Sequence, residues 1–109
     1  MVQQLRTYEI FEGNKTAFHE RFRDHAIRIM AGYRFRIVSV WEGKRDDGRI
    51  ELVYLLEWDD ADAMATAWAA FMADQEWKDI KREWAADHGQ AVGEIEDRVL
   101  RLTDYTPPT

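Results

Sequence analysis

The chain predicts an α+β fold with the ferredoxin-like order β-α-β-β-α-β, and three observations predict it. The segment Ile50–Trp58 reads as a strand that is apolar on both faces. Ile50, Leu52, Tyr54, Leu56 and Trp58 point one way, and Val53 and Leu55 the other, because side chains alternate along a strand. Second, two long segments carry apolar residues at helical spacing, one on each side of a pair of adjacent strands. Third, a strand-like run stands at each end of the chain, completing the split arrangement. A chain of 109 residues can cover one face of such a sheet with its own helices. The other face needs a second cover, and another copy of the protein is the simplest one. A homodimer is therefore expected.

In order, Val2 to Phe11 reads as the first strand, ended by the turn Glu12-Gly13. Asn14 is a helix N-cap candidate. Phe18, Phe22, His25 and Ile29 then share one helical stripe, and Gly32 closes the helix. Arg34 to Glu42 reads as the second strand, with Phe35, Ile37 and Trp41 on one face and Val38 and Val40 on the other. Residues 43–49, with Asp46-Asp47-Gly48, make a polar hairpin loop before the strand 50–58. Asp59 or Asp60 caps an alanine-rich helix whose apolar side is Met64, Trp68 and Phe71 or Met72. Asp74 restarts a helix with the stripe Trp77, Ile80, Trp84 and His88, stopped by Gly89. Glu94 to Tyr105 is the last strand. No linker or repeat divides residues 1–109, which read as a single domain.

Composition narrows the partners. The formal net charge is −6, which disfavours nucleic acid and anionic membrane surfaces, since both require a basic face. No apolar run approaches the ~20 residues that cross a bilayer. No basic segment followed by an apolar stretch marks the N-terminus as a secretory signal. Cysteine is absent, so disulfides and thiolate sites are excluded, and a cytoplasmic location is expected. Five Trp, five Phe and four Tyr suit either a heavily packed core or a cavity for a flat apolar ligand.

Several segments together resemble the NIPSNAP family: Leu5-Arg6-Thr7-Tyr8 followed by a turn and Phe18 in a charged helix, then Asp74-Gln75-Glu76-Trp77, where Gln75 replaces the family's proline. The last are Arg98-Val99-Leu100-Arg101 and the ending Thr103-Asp104-Tyr105-Thr106-Pro107. The resemblance spans nearly the whole chain, and the order and spacing of the segments carry it. It implies a dimeric α+β barrel, in which two sheets pack face to face with helices outside. The wider superfamily includes cofactor-free monooxygenases, isomerases and haem enzymes, while family members mostly lack an assigned reaction.

The candidate residues follow from position. His25, on the first helical stripe, is expected to turn its ring toward the sheet, as a general base or as a hydrogen-bonded core histidine. Tyr8, Tyr54, Trp58, Trp77 and Trp84 are expected either to wall a pocket or to pack as core. Arg6 lies within the first strand, where an unpaired guanidinium is costly to bury. It either binds a ligand carboxylate or enolate, or pairs with Glu9, Glu51 or Glu57 across strands. His19 and His25 are six residues apart and do not share a helical face, so no metal site is expected, and no cofactor. The functional expectation is a small, partly apolar ligand held between sheet and helices. If there is chemistry, it is cofactor-free monooxygenation or isomerisation of an aromatic or enolisable substrate, with His25 as base and Arg6, Tyr8 and Tyr54 as orienting groups. The alternative is a non-catalytic binding or scaffold protein.

Overall fold

The computed structural model describes residues 1–108. Four strands, β1 (Val2–Ile10), β2 (Arg36–Lys44), β3 (Ile50–Trp58) and β4 (Ile95–Arg101), form one antiparallel sheet in the order β2-β3-β1-β4. A 3₁₀ turn, Glu12–Asn14, leads into α1 (Lys15–Arg21), a π-helical turn (Phe22–Ala26) and α2 (Ile27–Gly32). After the hairpin come α3 (Ala61–Ala73) and α4 (Gln75–His88). This is the ferredoxin-like α+β fold, and the strand 50–58 falls where the sequence places it.

The strand alternation decides the two faces. Residues opposite one another in a ladder share a face, so Trp58, Leu56, Tyr54, Leu52 and Ile50 stand with Val2, Gln4, Arg6, Tyr8 and Ile10. That face packs against Phe18, Phe22, Ile29, Phe35, Phe71 and Trp77 in one hydrophobic cluster. The other face carries Leu5, Val53 and Leu55, all half-buried, and no helix covers them.

A β-bulge between Ile37 and Ser39 changes the expected phase of β2. Ile37 faces Leu56, but after the extra residue Val40 faces Tyr54 and Trp41 faces Val53. Trp41 therefore lies on the outer face with 48% of its surface exposed, not beside Ile37.

The caps show local chemistry at work. Asp60 accepts from Ala63 N at 2.8 Å and starts α3. Asp74 accepts from Trp77 N at 2.8 Å and from the Tyr33 hydroxyl at 2.6 Å, so it starts α4 and ties it to the end of α2. Gly89, at φ 82°, ends α4. Asn14 departs from expectation: its side chain makes no cap bond, and its amide donates to His88 O at the far end of α4. Gly32 also departs, since the left-handed residue after α2 is Arg34, at φ 70°.

No helix among the described residues is long and apolar enough to cross a membrane.

Candidate functional site

Three successive inward positions of β1 are polar: Gln4, Arg6 and Tyr8. They lie between the helices and the central strands, Gln4 buried and Arg6 and Tyr8 half-buried, so each needs a partner. Gln4 is buried, and its carbonyl oxygen accepts from both Trp58 Nε1 at 3.0 Å and Trp68 Nε1 at 2.8 Å. Its amide donates to both oxygens of Asp97, at 3.0 and 3.1 Å. Arg6 donates to Asp97 Oδ2 at 3.0 Å and to Tyr8 Oη at 3.1 Å. Tyr8 Oη in turn is 2.6 Å from Tyr54 Oη. One chain of hydrogen bonds thus runs from Trp68 through Gln4, Asp97, Arg6 and Tyr8 to Tyr54.

The register explains why Arg6 chooses Asp97. Arg6 stands opposite Asp97 on β4. Glu9, Glu51 and Glu57 occupy the other parity of their strands and point to the outer face, so the pairing expected with them does not form.

Above this polar floor opens a cleft of about 420 Å³ between the sheet and the helices. Phe18, Trp77 and Trp84 form much of its wall, with Tyr8 and Arg6 toward the sheet. Two further cations line it, Arg21 from α1 and Lys81 from α4. The Arg21 guanidinium lies 5.3, 5.2 and 4.8 Å from the ring centres of Phe18, Trp77 and Trp84. Lys81 Nζ is 5.8 Å from the Trp77 ring centre.

The electrostatics follow from burial. Burial pushes the Arg21 guanidinium down, as it does the Lys81 amine, where Arg21 and Lys78 add like-charge repulsion. Burial also disfavours the charged form of Arg6, but the hydroxyl oxygens of Tyr8 and then Tyr54 outweigh it and raise Arg6. Burial raises the Tyr54 hydroxyl well above the ordinary tyrosine range, with the Tyr8 hydroxyl next in effect. Tyr54 is therefore neutral at any physiological pH and does not act as a base.

The predicted residues part company here. Tyr8, Arg6, Trp77 and Trp84 line the cleft. Tyr54 lies beneath it, fully buried, and touches its lining at Tyr8 and Phe22. Trp58 packs on Phe35 and borders a separate hollow of about 800 Å³ beside α3. That hollow is the larger one, but alanines form much of its wall and Arg36 at its rim is paired with Asp59 at 2.9 Å. Arg34, Asp62 and Thr66 line it as well, but the hydrogen-bonded chain through Arg6 and Tyr8 borders the smaller cleft, so we place the candidate site there.

His25 is a correction. Its ring is exposed and lies outside the cleft, in a shallow groove with Asp24, Glu83 and Asp87. Its nearest polar neighbour is Arg28, with Nη2 3.3 Å from Nδ1. The π-helical turn is the reason. It widens the helix, so the stripe returns to the sheet after four residues instead of three. Ala26 takes the inward place and Met30 follows it.

Sequence reasoning missed Gln4, Trp68, Arg21 and Lys81. A signal for Gln4 was present, since Gln4, Arg6 and Tyr8 break the inward apolar parity of a central strand. Arg21 and Lys81 look like ordinary surface charges of amphipathic helices. No group of three or more potential metal ligands occurs among the described residues.

A four-stranded sheet with helices on one face and an aromatic cleft between them is the architecture of the dimeric α+β-barrel class. The chain belongs to the NIPSNAP family, whose model matches residues 3–107. It is similar to an uncharacterized NIPSNAP domain protein from Burkholderia xenovorans, at 22% identity over 99% of this chain and 100% of that one, with a TM-score of 0.78. A NIPSNAP family protein from Agrobacterium tumefaciens is similar at 20% identity, covering 97% and 96%, with a TM-score of 0.79. A monooxygenase from Streptomyces coelicolor, solved in complex with nanaomycin D, shares the fold at 11% identity over 99% and 92%, with a TM-score of 0.60. No curated protein matches the chain.

Proposed function

We propose that each subunit binds a small, partly apolar molecule in the cleft between sheet and helices, and that two subunits pair through the outer faces of their sheets. The observation that carries the binding reading is the cleft itself, aromatic-walled over a connected floor of hydrogen-bonding groups. Its volume of about 420 Å³ lies within the ~300–1,000 Å³ usual for small-molecule sites. A scaffold protein would have a packed interior at this position. The pairing reading rests on Trp41, Val53, Leu55 and Leu5, which form an apolar centre on an uncovered face. Beside it Arg45 and Arg49 bind Glu51, Glu94 and Glu96 or Glu9, which gives the polar rim common at interfaces.

The neutral flat probe N-phenyl-1-naphthylamine tests the cleft by its fluorescence gain. One molecule should bind per chain, and Ala85→Trp, placed at the cleft wall, should abolish it. Binding of neither this probe nor its anionic counterpart 1-anilinonaphthalene-8-sulfonate, or binding indifferent to Ala85→Trp, overturns the reading.

A second reading, cofactor-free oxygenation, draws on the shared fold of the Streptomyces coelicolor monooxygenase. Arg6 and Tyr8 offer donors to an enolate or phenolate oxygen, and Tyr54 holds Tyr8 in place as a neutral partner. With 1,5-dihydroxynaphthalene, one O₂ would be consumed and juglone and water released. Oxygen uptake above the buffer rate, reduced in Tyr8→Phe, is the expected result. Uptake no faster than buffer leaves the binding role alone.

A further inference from the structure

The cleft inverts the sign of the molecule. The protein carries 21 acidic and 15 basic side chains, yet Arg6, Arg21 and Lys81 line the cleft and no Asp or Glu does. Arg6 is already matched by Asp97. Arg21 and Lys81 are not: among the described residues neither enters an ion pair. The acidic residues Glu20, Asp24, Glu83 and Asp87 stand in the groove on the other side of Arg21, and none of them reaches ion-pair distance. Arg21 instead sits among three aromatic rings.

Two like charges held together at a half-buried site cost free energy unless something else meets them. Aromatic faces meet part of that cost through the cation–π attraction. They leave the edge of the guanidinium, with its forked donors, unengaged. An anionic group fits that edge, and the remaining lining, with Tyr8, Met72 and Ile95, offers apolar surface to an aromatic body.

We infer that the cleft selects a flat aromatic anion, such as an aromatic carboxylate or sulfonate, whose charged group sits between Arg21 and Lys81 while its rings lie against the rest of the lining, Tyr8, Met72 and Ile95 among it. This rests on the cleft reading above and adds the charge and the residues that read it. The local positive field also draws anions toward the opening against the negative net charge of the whole protein.

Two matched probes test it: 1-anilinonaphthalene-8-sulfonate, which is anionic, and N-phenyl-1-naphthylamine, its neutral counterpart. The anionic probe should bind roughly tenfold tighter or better, displace the neutral one, and lose its advantage as salt is raised. Arg21→Gln should bring the ratio of the two affinities close to one. Lys81→Gln, at a more accessible position, should shift it the same way and serves if Arg21→Gln folds poorly. If neither probe binds, or Ala85→Trp leaves both unaffected, the cleft reading fails and this inference with it. If the neutral probe binds in the cleft but the anionic one binds no tighter, or its advantage survives in both variants, the cleft stands and the anion selectivity is overturned.

Discussion

The two faces of the sheet are built from the same strands and differ in what satisfies them. On the inner face Leu52, Tyr54 and Leu56 are completely buried. Even the polar positions there are closed: Gln4 makes four hydrogen bonds and Arg6 binds Asp97 and Tyr8. One atom escapes, Arg6 Nε, which is buried without a partner beside the cleft. On the outer face Val53 and Leu55 are apolar too, but they remain half-exposed, and Trp41 stands 48% exposed. The inner face is finished within one chain. The outer face has an apolar centre, Trp41, Val53 and Leu55, inside a charged rim, and lacks a cover.

The largest effect should come from breaking the inner face. Leu56→Ala removes a fully buried side chain and should cost about 2–5 kcal/mol, read as a fall in denaturant midpoint at unchanged slope. A loss below 1 kcal/mol would mean that this face is loosely packed. Next, Gln4→Leu should cost about 1–3 kcal/mol, because it strands the indole N–H groups of Trp58 and Trp68 without their acceptor. Near-wild-type unfolding would show that water takes the place of the amide.

Tyr54→Phe should cost less, about 0.5–1.5 kcal/mol near neutral pH. It also has a signature in pH. The folded Tyr54 hydroxyl titrates above its unfolded value, so its contribution is present below about pH 10 and declines as pH rises beyond that. The variant should therefore resist alkaline unfolding better than the parent. An unchanged alkaline midpoint would assign that unfolding to other groups. The smallest change in subunit stability, within about 0.5 kcal/mol, should follow Trp41→Glu. Its effect should appear in assembly instead. Sedimentation should give twice the 12.9 kDa chain mass for the parent and the single chain for the variant. A parent that is monomeric at micromolar concentration would leave the outer face without the proposed cover.

Particular residues show where sequence was legible. The strand 50–58 was read to the residue because period-2 alternation is local and its apolar residues are large. Asp74 was legible as the start of a helix because an N-cap binds a backbone N–H only three residues away. Trp41 and His25 were misplaced for one shared reason. Each follows a single irregular step, a β-bulge before Trp41 and a π-helical turn around His25. Each step displaces the side chains beside it, and no residue type marks the step in advance.

Within the cleft, Arg6 and Tyr8 were nominated from β1 alone, whereas Arg21 and Lys81 were not. Arg6 betrays itself by standing in a central strand, where a charge needs a reason. Arg21 and Lys81 occupy helices whose surfaces carry many charges, and nothing local separates one facing a cleft from one facing water. The sequence by itself determined the element order, the helix starts at Asp59 or Asp60 and at Asp74, and the two-sided apolar strand, because each rests on interactions between near neighbours. Only the tertiary structure decided that Arg6 meets Asp97, 91 residues away, and that Arg21 and Lys81 share one opening. Those pairings depend on the register of β1 against β4 and on how α1 and α4 sit over the sheet, which are set by packing across the whole chain.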